Sequence, residues 1–143
     1  MKNKKQFEIL KGLPPYGDMY IPIGNFDKLY SEGFVVRFFK SDNTSWVANF
    51  PLGWNNCLKA FDFPEYNLVI VISGGKGYAM TPDEEKPKFT FDLISEVLQT
   101  KNKSLIFLDG IGILFFDNSM ESFGKVNGFL GTDLRIYQFQ IIF

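Results

Sequence analysis

The stretch Phe34-Val35-Val36-Arg37-Phe38-Phe39-Lys40-Ser41-Asp42-Asn43-Thr44-Ser45-Trp46-Val47-Ala48-Asn49-Phe50 decides the fold. Its arms, Phe34 to Phe39 and Ser45 to Phe50, are rich in β-branched and aromatic residues, and the polar Ser41-Asp42-Asn43-Thr44 between them has the composition of a turn. The whole therefore reads as a β-hairpin. Because successive side chains of a strand point to opposite faces, Trp46, Ala48 and Phe50 share one side of the second arm.

The same reading extends along the chain. Asn67 to Ile72 and Tyr78 to Thr81 flank Ser73-Gly74-Gly75-Lys76-Gly77, whose glycines supply the positive φ that a tight connection demands. Ser104 to Leu108 and Ile111 to Phe116 flank Asp109-Gly110, a strong hairpin signal between apolar arms. These two pairs align Gly74 with Gly110 and Tyr78-Ala79-Met80 with Leu114-Phe115-Phe116, a shared hairpin habit that falls short of a repeat array. Between them, Leu93, Ile94, Val97 and Leu98 have the spacing of a short amphipathic helix or a bent strand, and the helix is the preferred reading. Gly12-Leu13-Pro14-Pro15-Tyr16-Gly17 makes residues 1–18 an extended lead-in, and residues 119–143 form a C-terminal segment that turns strand-like from Leu134. The expected fold is mainly β, antiparallel hairpins forming a sandwich, a partly open barrel or a twisted sheet, with at most one short helix near 91–99. No linker or low-complexity tract divides the chain, so residues 1–143 are expected to form a single domain.

Composition narrows the function classes. A chain of 143 residues buries about 70% of its unfolded surface, and 17 Phe with an apolar fraction of 45% fill a core without staples. A net charge of -1 gives no field to gather a polyanion, so nucleic acid is not an expected partner. Cys57 stands alone, and the sequence contains no histidine, which removes internal disulfides, Ser-His-Asp and Cys-His catalysis and ordinary zinc ligation by residue type. The longest purely apolar run, Leu68 to Ile72, is far short of the roughly 20 residues of a membrane-spanning helix, and Ile9-Leu10 is too short for a secretion signal after Lys2, Lys4 and Lys5. A cytoplasmic location without membrane contact is the expectation.

The remaining chemical candidates are few. Ser73-Gly74-Gly75-Lys76-Gly77 invites comparison with a phosphate loop, but Lys76 is followed by Gly77 and a strand, not by Ser or Thr and a helix, so a hairpin turn is the stronger reading. Asp83-Glu84-Glu85 lacks the spaced oxygen ligands of a calcium loop and reads as a solvated turn. Asp109 and Asp117 flank an apolar strand and could form the carboxylate pair of a glycoside hydrolase, although both also sit where turns favour Asp. Trp46, Trp54, Tyr66 and Tyr78 carry large rings with a polar handle. Trp54, beside Gly53 and Asn55-Asn56, is the best candidate for exposure, and with Tyr78 it offers stacking faces for a carbohydrate or small ligand. Trp54, Lys76, Tyr78 and Asp109 are thus the binding candidates. No catalytic residue, metal ligand or cofactor is expected, and a non-enzymatic interaction module is the leading reading.

Read together, Gly12 to Gly17, Tyr30-Ser31-Glu32-Gly33-Phe34-Val35-Val36-Arg37-Phe38, Trp46-Val47-Ala48-Asn49-Phe50 and Ser73-Gly74-Gly75-Lys76-Gly77-Tyr78 through Pro82 resemble a family of small hypothetical bacterial proteins. Some members of that family are similar to immunity factors of toxin systems. The resemblance covers residues 9 to 118, contains no motif of known chemistry, and implies a protein partner. In the family, the strand matching Leu114-Phe115-Phe116-Asp117 is followed by a segment close to WKSERISWDG, whereas this chain has Phe123-Gly124-Lys125-Val126-Asn127-Gly128-Phe129-Leu130-Gly131-Thr132-Asp133. Joining the third base of each codon to the first two of the next, from Phe123 onward, can encode that family segment at every step. The resemblance therefore implies a truncated member, frame-shifted after Ser122, whose lost strands leave an open sheet edge. Leu134 to Phe143 would cover that edge or pair across a homodimer. The coding DNA tests this directly: the codons of Phe123 and Leu130 are expected to yield Trp in the shifted frame, and codons unable to do so end the idea.

Overall fold

The computed structural model describes residues 5–15, 19–24, 32–92, 94–101, 105–109, 112–116 and 123–127, the backbone alone for 107–109, 112–116 and 123–127. The strands are β1 (Phe7–Ile9), β2 (Ile21–Pro22), β3 (Phe34–Phe39), β4 (Ser45–Phe50), β5 (Leu58–Phe63), β6 (Leu68–Ser73), β7 (Lys76–Met80), β8 (Phe89–Phe91), β9 (Ile94–Gln99), β10 (Leu105–Asp109), β11 (Gly112–Phe116) and β12 (Phe123–Asn127), with one 3-10 turn at Pro64–Tyr66. They form three four-stranded sheets, ordered β1-β3-β4-β2, β5-β6-β7-β8 and β12-β11-β10-β9. The fold is mainly β, as the hairpin pattern requires, and no sheet closes into a barrel. By contacts the chain divides into two compact units, Met1–Phe91 and Asp92–Phe143. Among the described residues no helix is long and apolar enough to cross a membrane.

The first unit is a sandwich of the first two sheets. The β3-β4 hairpin has the expected bounds, with Phe39 opposite Ser45 and Phe34 opposite Phe50. Its turn closes through Lys40 N–H to Thr44 O (2.8 Å) and Asn43 N–H to Lys40 O (3.1 Å), and Asn43 takes a positive φ of 70°. Asp42 Oδ1 accepts from Thr44 N–H (2.9 Å) and Thr44 Oγ1 (2.5 Å), and these bonds hold the Asp42 carboxyl below its usual pKa. Alternation then does the packing: Phe34, Val36 and Phe38 of β3 and Trp46, Ala48 and Phe50 of β4 face Val69 and Val71 of β6 and Tyr78 and Met80 of β7. The rings form a continuous aromatic path between the sheets. Phe38 stacks on Trp46 with centroids 5.0 Å apart, meets Phe50 edge-on at 6.4 Å, and Phe50 lies 4.9 Å from Tyr78. The indole N–H of buried Trp46 donates to Pro82 O (2.8 Å), so its burial leaves no donor stranded. At the edge of the sandwich, Gln6 Nε2 donates to Asp62 Oδ1 and to Leu68 O (3.1 Å), tying the β1 side to β5 and β6.

The other face of the β6 sheet is apolar too: Phe63, Leu68, Ile70, Ile72 and Ala79 are buried along with the inward set. A strand buried on both faces loses alternation and becomes a continuous apolar run, which is why Leu68 to Ile72 reads as it does.

The second unit is an antiparallel meander. Leu105 lies opposite Phe116 and Leu108 opposite Ile113, which is the hairpin expected from Asp109-Gly110, with Asp109 ending the strand instead of beginning the turn. The preferred helix over 91–98 is corrected: residues 94–99 form the edge strand β9. The register explains the misreading. Leu108 pairs with Glu96 and Asp109 with Ile94, so Ser95 is an extra residue in a bulge. That insertion sets buried Ile94 and Val97 three apart where a regular strand would set them two apart, and three is a helical spacing. Gly110, Asp117 and Leu134 to Phe143 lie outside the described residues.

Phe50 is fully buried at the junction of the aromatic path. Phe50→Ala is expected to cost about 3–5 kcal/mol. That loss should lower the urea midpoint by about 1 M or more at unchanged slope. Leu52→Ala, on the exposed loop, should stay within about 0.5 kcal/mol, and equal losses in the two variants would contradict the placement of the core.

Candidate functional site

Between β4 and β5 the chain passes from one sheet of the sandwich to the other through Pro51-Leu52-Gly53-Trp54-Asn55-Asn56-Cys57. This loop lies against the β6-β7 hairpin, whose two-residue turn is Gly74-Gly75, closed by Ser73 opposite Lys76. Both glycines have positive φ, 60° and 106°, as a two-residue hairpin turn of this hand requires. Three hydrogen bonds lace loop to turn and a fourth closes the loop on itself. Ser73 Oγ donates to Pro51 O (2.8 Å), Trp54 N–H to Gly74 O (2.8 Å), Gly74 N–H to Cys57 O (2.9 Å), and Cys57 N–H to Asn55 Oδ1 within the loop (3.0 Å).

The approach is so close that only glycine fits. A Cβ on Gly53 would lie 1.9 Å from Gly74 O, and one on Gly74 would lie 1.9 Å from Gly53 N. A Cβ on Gly75 would lie 2.2 Å from Trp54 Nε1 and 2.6 Å from its Cε2, so the indole rests on bare backbone. From that seat Trp54 remains 63% exposed. Leu52 in the same loop is 58% exposed, and Leu58, whose partner across the ladder is Ser73, is 40% exposed. Three large apolar side chains thus stand in solvent around one rigid turn.

The other sequence candidates fall elsewhere. Tyr78 is 1% exposed and packs on Phe50, because positions 78 and 80 of β7 alternate inward. It therefore lies in the core and shares no open face with Trp54. Lys76 belongs to β7, with its Nζ 5.7 Å from the Tyr78 ring centroid, a cation–π distance. Ser73-Gly74-Gly75-Lys76-Gly77 is a hairpin turn that runs into a strand. Asp109 pairs through its backbone with Ile94, and its side chain, like Asp117, lies outside the description. The Asp83-Glu84-Glu85 carboxylates help tie together another set of connections. Asp83 accepts from Ser41 N–H (2.7 Å), Ser41 Oγ (2.5 Å) and Asn67 Nδ2 (3.4 Å), and Glu85 pairs with Lys40 at 3.5 Å. Among the described residues no group of three or more His, Cys, Asp or Glu is placed to hold a metal.

Leu52, Leu58 and the glycine seat are absent from the sequence reading. The signal for the seat was Gly53-Trp54 in one segment and Gly74-Gly75 in another, with nothing local to join them. The chain matches no family model, no curated protein and no solved structure.

Gly75→Ala should destabilise the protein in any background, since φ of 106° strains an L side chain. Where Trp54 is present an additional loss of about 0.5–1 kcal/mol is expected, absent in Trp54→Ala, as a coupling between touching residues. Urea unfolding of the two single variants and the double variant measures it, and strictly additive losses would mean that the ring does not sit on Gly75.

Proposed function

We propose that the protein is a non-enzymatic interaction module that binds a protein partner through the Trp54 loop, in keeping with the resemblance to immunity factors of bacterial toxin systems. The observation that carries this reading is the exposure of Trp54, Leu52 and Leu58 around the laced Gly74-Gly75 turn. Tryptophan is enriched among the few residues that dominate binding energy. A loop already held by backbone bonds loses little entropy when it is captured, so its contacts convert more fully into affinity.

The alternative of a carbohydrate or small-ligand site draws on the same open indole, but exposed leucines are poor neighbours for sugar hydroxyls and Tyr78 supplies no second stacking face. The proposal includes a cytoplasmic setting and pairing of two copies through the C-terminal strand.

Under the immunity reading the product of the neighbouring gene is the first partner to try. Calorimetric titration is expected to give a stable complex, with Trp54→Ala weakening it roughly 30-fold or more, as for a hot-spot residue. Phe89→Ala, on an exposed strand outside the loop, should leave binding unchanged. Sedimentation of the free protein reads the dimer in the same preparation. No complex, or a complex indifferent to Trp54, would overturn the assignment, and two monomers would remove the pairing.

A further inference from the structure

We infer that Ser73 is the positioning residue of the Trp54 loop, its hydroxyl aiming the chain so that the indole is held ready for capture. This rests on the interaction-module reading of that loop and names what governs it. Ser73 follows Val69 and Val71 on the inward side of β6 and is 1% exposed. A row that runs valine, valine, serine gives up apolar contact at its last place, and a buried hydroxyl costs free energy unless it is bonded. Its bond runs from one sheet to the other, to Pro51 O at 2.8 Å.

The acceptor decides the role. Pro51 directly follows Phe50, the last residue of β4, and is the residue from which the loop departs. Its ring fixes its own φ, and a bond to its carbonyl fixes the plane of the next peptide and with it ψ. Both torsions that aim Leu52, Gly53 and Trp54 are then set. Three residues on, Trp54 N–H meets Gly74 O at 2.8 Å, and Gly74 follows Ser73 in the chain. The run from Pro51 to Trp54 is therefore held at each end by consecutive residues of the β6-β7 hairpin. The bare contact of Gly53 with Gly74 permits that approach, whereas the Ser73 hydroxyl directs it. Trp54 stays 63% exposed yet aimed, and an aimed anchor loses less freedom on capture.

Hydrogen exchange and relaxation on the intact ¹⁵N-labelled protein test this before any partner is added. Ser73→Ala is expected to raise exchange of the Trp54 amide roughly fivefold relative to the Lys40 amide, which donates to Thr44 O in the β3-β4 turn; that is the scale of one lost hydrogen bond. The Trp54 indole N–H should lose heteronuclear NOE, while that of Trp46, bonded to Pro82 O, keeps it. Ser73→Thr retains the hydroxyl and should restore both, the ratio to Lys40 discounting any general loss of stability from the added methyl. In titration with the neighbouring gene's product, Ser73→Ala should weaken the complex roughly three- to fivefold when Trp54 is present and not in Trp54→Ala, as a coupling between groups of one loop. An unchanged exchange ratio would overturn the positioning role, as would an affinity loss that persists without Trp54 or no affinity loss at all. Absence of any complex would overturn the interaction reading, and the exchange ratio and indole signal would still decide whether Ser73 aims the loop.

Discussion

The structure of the first unit depends on one constraint: the alternating side chains of β3 and β4 must meet those of β6 and β7 in one shared interior. Phe38, Phe50 and Tyr78 are almost wholly buried, and their rings touch in sequence, so the two sheets are held at fixed separation by a shared aromatic column. The Trp54 loop is the segment that crosses from one sheet to the other immediately after Phe50. Its position is therefore set by the core, and the exposed indole inherits the rigidity of the buried rings.

Much of the fold was legible because the decisive signals are local. Phe34 to Phe39 and Ser45 to Phe50 announce their own strands, and the polar turn between them, with Asn43 able to adopt positive φ, announces their pairing. Gly74-Gly75 did the same for β6 and β7. The register failed where geometry departs from the ideal. Ser95 is one residue inserted between Glu96 and Ile94 in the ladder, and a single insertion is enough to make a bent strand imitate a helix to any reading by periodicity.

The site was legible only in part. Trp54 stood out because its neighbours Gly53, Asn55 and Asn56 favour a loop, and it is exposed. Tyr78 has the same chemistry but lies on a strand, where parity decides, and parity turns it inward. The seat beneath the indole could not be read at all, because it joins Gly53 and Trp54 to Gly74 and Gly75 across a separation that only the folded chain closes. Leu52 and Leu58 look like ordinary core residues in one dimension. Their significance comes from standing exposed outside the buried core.

Gln6 and Asp62 have a consequence beyond their hydrogen bond. β5 is a six-residue strand at the margin of its sheet, the kind of ribbon on which cross-β fibres can template. A carboxylate placed on its inward side, opposite Val69 and satisfied by Gln6 within the same molecule, would be left without its donor in a stack of identical ribbons. The carboxylate that helps close the sandwich is thus also an inward-pointing charged group on an open sheet edge, the kind that blunts edge-to-edge pairing.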